Sequence, residues 1–210
     1  MDDFSIQDER IDEALSELKI INKFLGGIST TKSALNYFIQ SKKNELKILD
    51  IGSGSSDNLL AAKSKYPDLH ILSIDKNLRA LSNSKNQTKK INSDAFKLPF
   101  KSNSCDIIHS ALFLHHFTEE QIKILLKEFL RIARIGIIIN DLQRSYLALL
   151  GIKILTVLFS KSEMVKNDAP LSVKRGFSKQ EILNLLEDVG VKNFVIKKKW
   201  AFRWMVVIKK

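Results

Sequence analysis

The stretch ILDIGSGSSDN, residues 48–58, constrains this chain more than any other. A short apolar run ends in Asp50, and Gly52 and Gly54 follow one residue apart, ahead of small polar residues. Such a strand stops abruptly in a turn that a Cβ would obstruct, so that backbone comes close to a ligand. A phosphate, a dinucleotide and another nucleoside are the competing occupants.

The remainder of the chain supplies the frame. Ile11, Leu15, Leu18, Ile21 and Leu25 fall at helical spacing, and Gly26-Gly27 ends that helix. A second helix is expected over 31–40, with Ala34, Leu35, Phe38 and Ile39 on one face. LKILDIG then reads as a buried strand, and residues 57–66 as a helix. Further strands are expected at 70–75, 89–94, 105–111 and 134–141, with a short helix over 77–86 between the first two. Thr118 with Gln121 forms a capping box ahead of a helix with Ile122, Leu125, Leu126, Phe129 and Ile132 on its apolar face. Residues 145–160 read as an apolar helix and 161–176 as a loop. Ser178 with Glu181 is a second capping box, its helix ending at Gly190, and strands at 193–198 and 201–208 close the chain. Strands alternating with helices specify a parallel, doubly wound α/β sheet covered on both faces. The last two of the seven strands are too close for a crossover, so they form a hairpin and one runs antiparallel. Ligands in such sheets bind at the carboxyl ends of the strands, where residues 50–58 fall.

A length of 210 residues suits one domain: amino-terminal helices over 1–44, a ligand-binding core over 45–142, a helical lid over 143–177, and a closing helix and hairpin over 178–210. Cys105 is the only cysteine, which excludes an internal disulfide and a multi-cysteine zinc site, and no metal is expected. MDDFSIQDER is acidic and polar, unlike a secretory leader. The most apolar run, residues 146–159, contains Lys153 and is shorter than the ~20 residues that span a bilayer. A cytoplasmic location is therefore expected. The net charge of +11 reads first as a lysine-rich, solvated surface, and contact with an anionic membrane surface or with nucleic acid is the alternative. No nucleic-acid-binding module beyond the charge is legible, so nucleic acid is the weaker partner class.

No G-x-x-x-x-G-K-[ST] run exists, which removes the phosphate loop. Counting a dinucleotide fingerprint from Gly52 puts Asp57 where the third glycine belongs. An acid there would repel a pyrophosphate at the helix N-terminus. A nucleoside with a cationic centre fits better, and S-adenosyl-L-methionine is one. Asp50 suits its cationic end, and Gly52, Ser53 and Gly54 let the backbone approach its amino-acid part. Asp75, followed by Lys76, lies 21 residues beyond Gly54 and can accept both ribose hydroxyls. Asp94, followed by Ala95, can reach the adenine amino group.

On LDIGSGSSDN, ILSIDKN and SDAFKLPFKSNSCDIIHSALFLHHF, the chain resembles the class I S-adenosylmethionine-dependent methyltransferases over roughly residues 45–142. The cadence D-A-x-x-L-P-F-x-x-x-S-x-D is similar to that of the ubiquinone and menaquinone biosynthesis methylases and their small-molecule relatives. The resemblance implies a Rossmann-like fold, this cofactor, a cofactor path along Ser110, Ala111 and Leu112, and a methyl-transfer region near His115 and His116. Two positions depart from the family pattern: Ser56 stands where a third glycine is common, and Cys105 where an aromatic is common. The N/D-P-P-Y/F motif of amino-group methylases is absent. Histidine, with an ordinary pKa of about 6.5, suits deprotonation of an acceptor hydroxyl at neutral pH, so His115 or His116 is the expected base. Asn140, Arg144 and Tyr146 follow the fifth strand and are expected at the acceptor rim. The apolar helix over 145–160 implies a hydrophobic phenol or quinol acceptor. An RNA acceptor, motivated by the charge, and a non-catalytic binding protein of the same fold are the alternatives.

Overall fold

The computed structural model describes residues 9–39, 45–82 and 88–210. Seven strands form one sheet: β1 (Leu46–Ile51), β2 (Leu69–Asp75), β3 (Lys89–Asn92), β4 (Cys105–Ala111), β5 (Ala133–Leu142), β6 (Phe194–Lys199) and β7 (Arg203–Lys209). Their spatial order is β3-β2-β1-β4-β5-β7-β6. The first five run parallel, and β7 pairs antiparallel with both β5 and β6. The expected mostly parallel Rossmann-like sheet with one reversed strand in a closing hairpin is what forms. The chain changes direction across the sheet between β1 and β4, which opens a crevice at their carboxyl ends.

Alternation of side chains fills both faces. Ile107, Met205 and Val207 pack on one face with Ala34, Leu35 and Leu59, which come from α2 (Gly27–Leu35) and α3 (Asp57–Lys63). Ile108, Val206 and Ile208 pack on the other with Leu125, Phe129 and Leu186, from α5 (Glu119–Ile132) and α8 (Lys179–Asp188). Both expected capping boxes are present, Thr118 with Gln121 and Ser178 with Glu181, and they fix where α5 and α8 begin.

A third, smaller core joins α1 (Glu9–Phe24), α6 (Tyr146–Phe159) and α7 (Glu163–Arg175) through Ala14, Ala148, Ile152, Val165, Ala169 and Val173. These three helices cap the crevice. Here the structure corrects the sequence reading, because 161–176 is largely helix rather than loop. Ser162 caps α7, and Val165, Ala169 and Val173 recur at helical spacing on its buried side. Pro170 sits within that helix and is itself buried, so packing offsets the amide hydrogen bond that proline removes. Two boundaries also move. α2 starts at Gly27 rather than near Thr31, because Gly26 turns the chain at φ 81° directly after α1. A Cβ on Gly26 would lie 1.7 Å from the Trp200 carbonyl oxygen. β3 ends at Asn92, which leaves Asp94 in the turn beyond it. The short helix after β2 is α4 (Leu78–Ser82). Residues 83–86 of its expected span, and the side chains of Ile11, Leu15 and Leu18, lie outside the described residues.

Phe129 is the largest fully buried side chain and packs between α5 and the sheet. Phe129→Ala is expected to destabilise the protein by about 3–5 kcal/mol, read as a lower urea midpoint at unchanged m-value.

Candidate active site

A cavity of about 420 Å³ lies at the carboxyl ends of β1 and β4, between the sheet and the helical cap. Its floor is the turn after β1. Gly52 has φ 64°, and a Cβ there would approach the Phe113 ring to 2.1 Å. Gly54 has φ 49° with nothing within 4 Å of a Cβ, so its requirement is conformational and the space before it is open. Ser56 takes the left-handed conformation a glycine would adopt freely, at φ 55°, and its hydroxyl is hydrogen-bonded to that of Ser73 on β2 at 2.7 Å. Asp57 opens α3 and pairs with Lys19 at 2.6 Å, so the helix N-terminus already carries an acid. That arrangement agrees with the exclusion of a pyrophosphate.

Asp75 ends β2 and ties it to this turn. The Gly54 N–H donates to its Oδ2 and the Asn77 N–H to its Oδ1, both at 2.8 Å. Burial raises its pKa, and those two N–H groups oppose the rise. Asp94 accepts from the Phe96 N–H at 3.0 Å and pairs with Lys76 at 3.2 Å. The Phe96 N–H, with help from Lys76 and against the effect of burial, holds its carboxyl below the ordinary range. Asp75, Lys76, Asp94 and the buried Ala95 sit beside the turn but outside the cavity lining.

Asp50 lines the cavity floor and is 3% exposed. His109 of β4 donates from Nδ1 to its Oδ1 at 2.7 Å. The Nε2 of that ring is hydrogen-bonded to the Thr31 hydroxyl at 3.0 Å, and Thr31 accepts from Asn140 Nδ2 at 3.1 Å. Asn140 Oδ1 accepts from the Arg203 guanidinium at 3.2 Å. A hydrogen-bonded chain thus runs from Arg203 to Asp50. Burial pushes the Arg203 pKa down to about 10, with the Asp141 charge acting in the opposite sense.

His115 belongs to a single 3₁₀ turn, Leu114–His116, after β4. Its Nδ1 is 2.6 Å from Asp141 Oδ1, and both side chains are 2% exposed. The other Asp141 oxygen accepts from the backbone N–H of Leu114 at 2.9 Å, and the Leu142 N–H donates to Oδ1 at 2.8 Å. Burial favours the neutral acid, but the His115 imidazole and the Leu142 N–H outweigh it and hold Asp141 below its ordinary 3.8. An ionised carboxylate only accepts, so the proton between them sits on His115 Nδ1. Its Nε2 is buried and has no hydrogen-bond partner among the described residues. The His116 ring lies against it, centroids 4.2 Å apart.

Asp50, Gly52, Ser53, Gly54, Leu112, His115 and His116 therefore share one cavity. Leu112 lines it at φ 53°, held by its N–H on the Asn140 carbonyl at 3.0 Å. Ser110 is buried beneath, its hydroxyl unpartnered. The three residues expected at the acceptor rim are elsewhere. Asn140 is fully buried and holds α2 through the Gly27 carbonyl at 2.9 Å. Arg144 pairs with Glu181 on the outside, and Tyr146 is 92% exposed at the start of α6. Asn140 lies within β5, paired with Ala111 of β4 on one side and Met205 of β7 on the other, so it belongs to the sheet rather than to the rim. The cap side of the cavity is lined by Ile152 and Leu155 of α6, Ala169 and Val173 of α7, and Leu25. Asp141 is the residue that sequence reasoning missed. Its only local signal is its place one residue before the end of a long buried strand.

With this geometry in hand, comparison with known proteins is informative. Residues 49–139 match the family model described as a methyltransferase domain. That segment is similar to this family. It runs from within β1 to within β5 and so carries the cradle, the acid that ends β2, the acid beyond β3, and the His115 turn. No curated protein matches the sequence significantly. Among solved structures, a SAM-dependent methyltransferase from Aquifex aeolicus is 16% identical with a TM-score of 0.67, over 97% of this chain and 99% of its own. The plantazolicin methyltransferase BpumL, in complex with SAH, is 18% identical with a TM-score of 0.70, over 93% and 88%. The magnesium protoporphyrin IX methyltransferase ChlM from Synechocystis PCC 6803, with bound SAH, is 15% identical with a TM-score of 0.60, over 90% and 86%. At these identities the three establish a shared fold.

Because Asp141 has a lower pKa folded than unfolded, its ionised form stabilises the fold above about pH 4, and that contribution disappears as the pH falls through the lowered folded value. Asp141→Asn is expected to flatten the acid limb of stability against pH, measured by urea unfolding from neutral pH downwards.

Proposed function

We propose that this chain transfers the methyl group of S-adenosyl-L-methionine to an oxygen of a small hydrophobic aromatic acceptor, a phenol or a quinol. One observation carries the reading: the glycine cradle after β1 shares a single cavity with a buried histidine whose Nε2 is unpartnered. The cofactor fits the residues present. Gly54 leaves open space where a side chain would stand, and Asp50 offers a carboxylate at the floor. Each Asp75 oxygen takes one backbone N–H and keeps a lone pair for a ribose hydroxyl. Asp94 and Ala95 flank the adenine end. Similar structures described as complexes with SAH support the same assignment.

When bound, the cofactor supplies a sulfonium that activates its methyl carbon towards displacement. The protein's share is alignment, dryness and one proton. Holding two reactants in line contributes on the order of 7–11 kcal/mol in well-oriented systems. Ile152, Leu155, Ala169 and Val173 give an apolar wall that excludes water and suits a hydrophobic acceptor. His115 Nε2 takes the acceptor's hydroxyl proton, and Asp141 holds the ring in the required tautomer and stabilises the imidazolium that forms. The L-P-F cadence after Asp94 supports an acceptor of the ubiquinone and menaquinone type, a quinol with a lipid tail.

Calorimetric titration with S-adenosylmethionine tests the cofactor. Micromolar binding that Asp75→Ala abolishes is expected, and no heat with the wild type would overturn the reading. His115→Ala is expected to lower kcat by about 10²–10⁴ with cofactor affinity retained, and His116→Ala to have the smaller effect. Equal rates for both variants and the wild type would remove the base from the mechanism.

A further inference from the structure

The outer face of α6 has no counterpart in the chemistry above. Tyr146, Leu147, Leu150, Ile154, Val157 and Leu158 are 52–92% exposed. At 3.6 residues per turn they occupy one arc of roughly 120°. The opposite side, through Ala148, Ile152 and Thr156, packs into the cap. Soluble helices put their apolar arc inward, and this one carries apolar residues on both sides.

Charge indicates what covers the arc. Residues 146–162 contain Lys153 and Lys161 and no acid. Both lysines are exposed, Lys153 at the edge of the arc and Lys161 just beyond its end. In α1, the neighbouring helix of the cap, Ile20, Lys23 and Phe24 are exposed as well. The whole chain carries +11. A second copy packed isologously on this face would bring two lysine-bearing, acid-free helices together with no opposite charge between them. An anionic bilayer accepts both features, the aliphatic arc between its headgroups and the lysines at its phosphates. Among the described residues no helix is long and apolar enough to cross a membrane, so α6 lies along the surface.

We propose that α6 docks this protein on an anionic membrane surface, with its outer arc in the interface and Lys153 and Lys161 on the headgroups. The docking stands independently of the methyl-transfer reading. Its consequence, that the acceptor reaches the cavity behind α6 from the bilayer, rests on that reading.

The test is co-sedimentation of the full chain, without cofactor or acceptor, with vesicles of phosphatidylcholine alone and of phosphatidylcholine mixed with phosphatidylglycerol. Binding to the mixed vesicles at low salt, weakened at high salt, is expected. Leu150→Glu/Ile154→Glu changes only exposed positions and is expected to lower the bound fraction about tenfold or more, with an unchanged circular dichroism spectrum. Lys153→Glu/Lys161→Glu is expected to weaken binding to the mixed vesicles selectively. The proposal is overturned by absence of binding to anionic vesicles, or by binding that the Leu150/Ile154 variant retains. It is equally overturned if light scattering shows a dimer that this variant converts to monomer, which assigns the face to a second copy. Cofactor titration is read separately, so failure here leaves the methyl-transfer reading intact, and the reverse also holds.

Discussion

The buried path from Arg203 to Asp50 is the constraint on which the rest of this structure depends. A guanidinium and a carboxylate, 2% and 3% exposed, lie at opposite ends of a hydrogen-bonded chain through Asn140, Thr31 and His109. Neither charge is tolerable alone in a low-dielectric interior. Each link comes from a different element, β7, β5, α2, β4 and β1, so the chain closes only when the sheet is assembled in this order. Arg203 also donates to the Leu25 carbonyl at 2.7 Å and to Asn22 at 2.6 Å, which ties the end of α1 to the same path. The reversed last strand is thereby coupled to the orientation of the carboxylate at the cavity floor.

A second buried carboxylate works beside it. Asp141 gathers backbone N–H groups from the turn after β4 and the imidazole of His115, so one side chain both closes the turn and aims the ring. Unusual backbone clusters here too: Gly52, Gly54, Ser56 and Leu112 all have positive φ around the cavity. Such conformations persist only where neighbours hold them, and sites that must present backbone to a ligand are where they collect.

Most of the fold was legible because its elements carry strong local signals. The apolar run into Asp50, the period-3.6 face of α5 and both capping boxes agree with one another and with the sheet. α7 escaped because Pro170 and the polar residues between Val165, Ala169 and Val173 resemble a loop until α1 and α6 provide the surface that buries them. The cofactor cradle was legible for the same reason as the strand before it, a fixed spacing of glycines and acids. The acceptor side was not. Asn140 near the carboxyl end of the fifth strand, and Arg144 and Tyr146 beyond it, stand where an acceptor rim is expected, but Asn140 is buried within the sheet and the other two lie outside the cavity lining.

The sequence by itself determined the alternation of strands and helices, the strand-end turn at Gly52–Gly54, the acids at Asp50, Asp75 and Asp94, and the candidate pair His115 and His116. These follow from spacing along the chain, which local sterics and hydrophobic periodicity translate directly into structure. Only the tertiary structure decided that Asp141 pairs with His115, that His109 engages Asp50, and that α6 turns an apolar arc outward. Those are contacts across 26 and 59 residues of chain, and an exposure fixed by what does not pack against a helix. No local pattern encodes either, because both depend on which elements the assembled sheet brings face to face.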